Sequence, residues 1–267
     1  MNWLRKCGLS AVVLGALSGA VGCGHSYNEV IASNPANAQD RGFVAKKVTV
    51  DGTERNYAVF IPHNYTPSKQ WPVIVFLHGA LEGGSDGRSQ MTVGLGPAIA
   101  KMAGNFGFIT VFPQSPGDWK GEDRGRIAIA CLDQVQQQYS TDRSCVTLTG
   151  LSNGGEGTWV VGGRYPERFS ALVPMCGYSA YDSVPSVARI PTWIFHNSGD
   201  FLVGCGNSDE MHNRVKAAGG NIKFTRIDAG GHNCWDEAYG QGDVFKWMVT
   251  QRRGGTVVPV LGSTTGK

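Results

Sequence analysis

The chain has 267 residues, 41% of them hydrophobic and 17% charged, which suits one α/β domain with a sizeable core and excludes a disordered chain. Its 38 glycines are about twice the usual share but follow no three-residue period, so a collagen-like helix is excluded. The net charge is +3, and the basic residues are scattered, so no clustered face is offered to nucleic acid.

Residues 1–22 read as an export signal, with Arg5 and Lys6 ahead of a small and apolar run from Leu9 to Val21. The run ends in Ala20-Val21-Gly22-Cys23, similar to a bacterial lipobox, which makes Cys23 a candidate for lipidation and membrane attachment. Plain cleavage after Ser18-Gly19-Ala20 is the competing reading. An exported protein is expected either way, as an outer-membrane or cell-surface lipoprotein or in secreted or periplasmic form. No later run reaches the 18 apolar residues of a membrane span. Residues 23–40 form a polar tether, residues 41–253 a single domain, and residues 254–267 a flexible tail rich in Gly, Thr and Ser.

Within the domain, Phe43–Val50 and Asn56–Ile61 read as strands joined by the hairpin signal Asp51-Gly52. Further apolar runs of strand length follow at Pro72–Leu77, Phe108–Phe112, Val146–Gly150, Ala171–Met175, Pro191–Phe195 and Ile222–Ile227. Helical segments are expected near Gly94–Ala103, Arg126–Tyr139, Gly154–Arg164, Asp209–Ala218 and Asp243–Gln251. Continuous apolar strands alternating with helices predict an α/β fold with a mostly parallel sheet covered on both faces. The short gap from Met175 to Pro191 leaves no room for a large lid domain.

Val146 to Gly155 reads as a strand, the motif Gly150-Leu151-Ser152-Asn153-Gly154, and the start of a helix. A nucleophile on a sharp strand-to-helix turn needs neighbours without side chains two positions away, because those positions crowd together. Ser152 is therefore the candidate nucleophile. Gly83-Gly84-Ser85-Asp86-Gly87 fits the same bare pattern but has no strand before it, so Ser85 fails the context. A serine needs a base, and the base a carboxylate to fix its tautomer. Downstream, a strand and turn lead to Asp200, and a further strand and glycine turn lead to His232, in the order this nucleophile turn requires. Asp182 is a displaced alternative acid, Asp228 reads as turn-bonded or exposed, and His196 is a rival base better read as a packed core histidine. The loop Leu77-His78-Gly79-Ala80-Leu81-Glu82 follows the third strand. Ala80 or Leu81, with Asn153, are the candidate oxyanion donors through their backbone N–H groups.

From about Lys47 to Arg253 the chain resembles secreted bacterial carboxylesterases of the α/β-hydrolase superfamily, the predicted peptidase and phospholipase/carboxylesterase group. Feruloyl and acetylxylan esterases of carbohydrate esterase family one and polyhydroxybutyrate depolymerases are neighbours of that group. The resemblance rests on Leu77-His78-Gly79, on Thr149 to Gly155, on Pro191 to His196, on Gly231-His232 with Trp235 and Tyr239, and on Trp247-Met248 with Gln251-Arg252-Arg253. It implies an α/β-hydrolase fold, a Ser152–Asp200–His232 triad and a serine carboxylesterase working through an acyl-enzyme, with no cofactor. Polysaccharide-linked acetyl or feruloyl esters, a polyhydroxyalkanoate, or a peptide are the substrates it leaves open. Asn153 stands where such esterases often carry Met, and Phe201-Leu202-Val203 stands where Val-Pro is common.

If Asp200 and His232 meet, their loops bring Cys205 and Cys234 together, and a Cys205–Cys234 disulfide is expected. Cys131–Cys145 is a second candidate pair, and Cys176 the leftover thiol. Trp119 and Trp235, with Trp159, are candidate aromatic platforms for substrate, against ordinary packing. Two readings from other classes stand beside the esterase. A zinc enzyme would use Cys205, His212, His232 and Cys234, although their spacing matches no recognised zinc pattern. A catalytically silent binding module would share the fold.

Overall fold

The computed structural model describes residues 40–102 and 104–254, together with the backbone of residues 32–33. The export signal, Cys23, nearly all of the tether and the tail from residue 255 lie outside the described residues. Among the described residues, nine strands form one sheet: β1 (Ala32–Ser33), β2 (Gly42–Val50), β3 (Thr53–Ile61), β4 (Trp71–Leu77), β5 (Ile109–Phe112), β6 (Thr141–Leu151), β7 (Ala171–Met175), β8 (Thr192–Gly199) and β9 (Ile222–Gly230). Their spatial order is β1-β2-β3-β5-β4-β6-β7-β8-β9. β3 is antiparallel to both of its neighbours, and every other pairing is parallel.

The β2–β3 hairpin turns at Asp51 and Gly52, both with positive φ (50° and 74°), as a tight turn matched to strand twist demands. Seven α-helices accompany the sheet among the described residues: α1 (Leu95–Met102), α2 (Glu122–Gln138), α3 (Asn153–Arg164), α4 (Val184–Val187), α5 (Gly206–Ala217), α6 (Trp235–Gly240) and α7 (Asp243–Thr250). Strand alternation divides the apolar side chains between two faces. Tyr57, Val59 and Ile61 of β3 pack with α2, α3, α4 and α5, whereas Ala58 and Phe60 pack with α1, α6 and α7. Both faces are thus covered, as the continuous apolar runs required.

After β4 the chain moves to β5 on one side and then to β6 on the other. Such a reversal opens a crevice at the carboxyl ends of the two strands, where open α/β sheets place their sites. His78 and Gly79 leave β4 there, and Ser152 leaves β6.

Candidate active site

Four neighbouring strands each deliver a reactive side chain just beyond their carboxyl ends: Ser152 after β6, Cys176 after β7, Asp200 after β8 and His232 after β9. Ser152 has φ 55° and ψ −119°, a left-handed conformation that a non-glycine residue adopts only where its surroundings impose it. The imposing contacts are backbone ones. Ser152 N–H donates to Met175 O at 2.9 Å, and Glu156 N–H donates back to Ser152 O at 3.0 Å. A Cβ at Gly154 would lie 1.9 Å from Leu77 O, and one at Gly150 would lie 2.3 Å from Gly154 O. The two glycines of the motif are therefore required by close approach of β4, β6 and α3. Asn153 begins α3, whose first N–H groups lack intrahelical acceptors and carry the positive end of the helix dipole.

His232 Nδ1 lies 2.6 Å from Asp200 Oδ2. The carboxylate can only accept, so Nδ1 carries the proton and Nε2 is left with its lone pair. Asp200 Oδ1 accepts from the N–H groups of Leu202 (2.9 Å) and Val203 (3.0 Å). Burial pushes the Asp200 pKa up, but the hydrogen bonds from His232, Val203 and Leu202 outweigh it and hold the carboxyl below its usual range. Asp200 is thus an anion positioned to stabilise a charged His232.

His196, read from the sequence as a core histidine, is fully buried and makes a second contact with the same carboxylate. Its Nε2 lies 2.8 Å from Val203 O and 3.1 Å from Asp200 Oδ2, and its Nδ1 lies 2.7 Å from Ser208 Oγ. With two acceptors at Nε2, the proton sits there and Ser208 donates to Nδ1. Burial pushes the His196 pKa down, in keeping with a neutral ring. This buttressing role was not read from the sequence, although the position of His196 four residues before Asp200 was a usable signal. Of the alternative acids, Asp182 is exposed, and Asp228 is exposed and accepts from Ser198 Oγ. Ser85 is exposed in its loop.

The loop after β4 is fastened from beneath. Ser115 N–H donates to His78 Nε2 at 3.0 Å, so His78 Nδ1 carries the proton and donates to Gly79 O at 2.7 Å. Burial lowers the His78 pKa and keeps the ring neutral. Trp119 Nε1 donates to His78 O at 3.0 Å, and the two rings lie 4.9 Å apart. Trp119 has no exposed surface, so the expectation that it contacts substrate is corrected: it packs under the loop. Trp159 is likewise an interior residue. Trp235 is half-buried and presents its ring at right angles to His232, 5.6 Å between centroids. A Cβ on Gly79 would come within 3.6 Å of Ser152 Cβ, so the turn of Ala80, Leu81 and Glu82 starts beside Ser152. Glu82 folds back, with the backbone N–H groups of Gly79 and Glu82 against its carboxylate; burial nonetheless raises its pKa.

The expected Cys205–Cys234 disulfide is also corrected, because all five described cysteines are free thiols. Cys205 caps α5 beside Arg226 and Asp209. Cys234 turns the other way, into the core. Its thiol donates to Phe195 O at 3.5 Å and is in hydrogen-bonding contact with Cys176. Cys131 and Cys145 are separated in the same manner. Cys131 lies on the buried side of α2, and Cys145 points to the carbonyl of Met248 in α7 on the opposite face. The zinc set Cys205, His212, His232 and Cys234 is not assembled, since His212 packs on Phe224 along α5.

Large apolar side chains are exposed around this edge. Leu81 is 93% exposed and Phe201 79%, with Leu202, Tyr178 and Tyr181 beside them in the loops after β7 and β8.

No family model matches the chain. It is 26% identical over 153 residues to the bifunctional acetylxylan esterase/xylanase XynS20E of Neocallimastix patriciarum, covering 55% of this chain and 21% of that protein. It is 32% identical over 112 residues to the probable acetylxylan esterase A of Neosartorya fischeri, covering 37% of this chain and 30% of the relative. The chain thus spans less than a third of the length of these relatives. Among solved structures, the crystal structure of a thermostable esterase matches with a TM-score of 0.71 and 26% identity, over 79% of this chain and 63% of that one. The mostly parallel sheet, the strained serine turn and these similarities agree: the chain has the α/β-hydrolase fold, and its homologues include acetylxylan esterases.

Proposed function

We propose that this chain is a serine carboxylesterase whose triad is Ser152, Asp200 and His232. The observation that carries the reading is the 2.6 Å contact between His232 Nδ1 and Asp200 Oδ2, at the ends of the strands two and three removed from the one that leads to a serine held at φ 55°. In this mechanism His232 Nε2 takes the Ser152 proton as Oγ attacks the ester carbonyl, and Asp200 stabilises the resulting imidazolium. The N–H of Asn153 and that of Ala80 or Leu81 receive the oxyanion. The imidazolium returns its proton to the leaving alcohol, and water then hydrolyses the acyl-enzyme by the same route. The reaction requires no cofactor. Residues 41–253 constitute the catalytic unit in this reading.

The substrate class is an acyl group carried on a polysaccharide, acetyl or feruloyl. Acetylxylan esterase relatives support the carrier, and the apolar side chains Leu81 and Phe201 beside the triad suit an aromatic or apolar acyl group over a bare polar one. Export follows from Arg5, Lys6 and the apolar run behind them, with Cys23 as the lipid acceptor. Purified protein is expected to hydrolyse nitrophenyl acetate and methyl ferulate and to be labelled by a fluorophosphonate, both abolished by Ser152→Ala. Unchanged hydrolysis in that variant would falsify the triad. Intact mass of the protein purified from membranes checks Cys23.

A further inference from the structure

Among the described residues, one group of three or more His, Cys, Asp or Glu side chains brings its donor atoms within 4.8 Å of one another: Cys176, Asp200 and His232. Cys234 lies outside that group but adjoins it, since both cysteines converge on the carbonyl of Phe195. Cys176 N–H donates to it at 3.0 Å and the Cys234 thiol at 3.5 Å. None of the proposed chemistry uses either thiol. A sulfur, an imidazole nitrogen and a carboxylate oxygen are donor types that zinc favours, with the second sulfur outside the group.

We propose that Cys176, Asp200 and His232, with Cys234 beside them, form an inhibitory site for a thiophilic divalent cation of the Zn²⁺ or Cd²⁺ kind. The proposal rests on the triad reading above for its consequence, though not for its geometry. Tetrahedral zinc, with bonds of about 2.0–2.3 Å, separates its donor atoms by roughly 3.3–3.8 Å. The three donor atoms of Cys176, Asp200 and His232 lie within 4.8 Å of one another, and they reach that shape by closing on the cation as the His232–Asp200 contact opens from 2.6 Å. Supporting hydrogen bonds are already in place. Leu202 and Val203 hold Asp200 Oδ1, His196 Nε2 donates to Oδ2 and leaves it a second lone pair for the cation, and the Phe195 carbonyl fixes the Cys176 backbone. Entry is from the side of His232, which is half-buried where Cys176 and Asp200 are buried.

The proton balance explains why such binding silences the enzyme. Coordination releases the Cys176 thiol proton to solvent and uses the lone pair of His232 Nδ1. The proton formerly on Nδ1 moves to Nε2, so one proton leaves per cation bound. Nε2 is then a donor and cannot accept from Ser152, and Asp200 no longer faces the imidazole. The cation therefore acts as a plug in the triad and takes no part in hydrolysis.

The test uses the whole chain, reduced with a phosphine, stripped with a chelator and dialysed. Zn²⁺ is titrated against nitrophenyl acetate hydrolysis, and Cd²⁺ against the sulfur-to-metal absorption band. One cation per chain is expected to abolish hydrolysis, with recovery on adding chelator. Cys176→Ala is expected to keep basal hydrolysis, lose the Cd²⁺ band and need about 100-fold more cation for inhibition. Cys176→Ser, which fills the same space, serves if the alanine variant does not fold. Equal cation sensitivity in wild type and variant, or a Cd²⁺ band that survives loss of Cys176, overturns the site. So does a Cys176–Cys234 disulfide that persists under the phosphine and leaves Cd²⁺ unbound. Absence of hydrolysis even in chelator defeats the esterase reading instead, and the Cd²⁺ band then judges the site alone.

Discussion

Asp200 receives four donors: two backbone N–H groups on one oxygen, and His232 and His196 on the other. Asp200→Asn retains the shape but sets an amide N–H against one of those donor pairs. His232 is then held in the wrong tautomer, and kcat is expected to fall by about 10⁴ with KM little changed, read by steady-state hydrolysis. The two buried neutral histidines give a pH signature of their own. For His78 and His196 burial lowers the folded-state pKa, so as pH falls through about 6.5 the unfolded chain takes up protons that the folded chain refuses. Stability is therefore expected to decline below about pH 6.5, by as much as about 1.4 kcal/mol per pH unit for each histidine. Urea midpoints between pH 7 and pH 5 measure it, and a flat profile would contradict the assignment of neutral rings. At this scale the sequence was informative about what covalent order determines, namely a serine, an acid and a histidine each following a strand. It was uninformative about side-chain direction. Asp200 and His232 do meet, yet Cys205 caps α5 while Cys234 packs in the core, and Trp119 turns inward to hold His78. Those directions depend on packing partners distant in the chain.

At the level of elements, every anticipated strand and long helix is present, because each carries an apolar run or an apolar stripe of sufficient length. The differences lie where pairing extends a segment beyond its apolar part. β6 begins at polar Thr141, which pairs with Trp71 across a bulge, and β8 runs on to Gly199, which pairs with Gly230. The short helices α4 and α6 were not anticipated, since one or two turns carry too few residues to display a period. The β6–α3 turn makes the strictest demand on sequence. Gly154→Ala drives a Cβ into the backbone carbonyl of Leu77, which cannot move without displacing β4, and a loss of about 3 kcal/mol or more is expected. Gly206, at the start of α5, has open space around it, so Gly206→Ala is expected to stabilise by about 0.5–1 kcal/mol. Denaturant midpoints of the two variants check both signs. Equal effects would mean that the nucleophile turn is not crowded.

For the molecule as a whole, the sheet carries its reactive groups unequally. Ser152 leaves the deeply buried strand β6, whereas His232 leaves β9, an outer strand whose side chains are largely half-buried or exposed. Parallel strands close long loops before their pairing is rewarded and form slowly for that reason. In refolding from urea, burial of Trp71, Trp119 and Trp159 in the central core is expected to precede the return of hydrolysis. Stopped-flow fluorescence set against recovered activity measures the interval, and simultaneous recovery would count against an outer strand that docks last. The hairpin-linked strands and the serine turn precede β9 in the chain, so in the proposed triad the nucleophile is synthesised before its base. On the triad proposed above, ester cleavage therefore waits on β9, the last strand in chain order among the described residues.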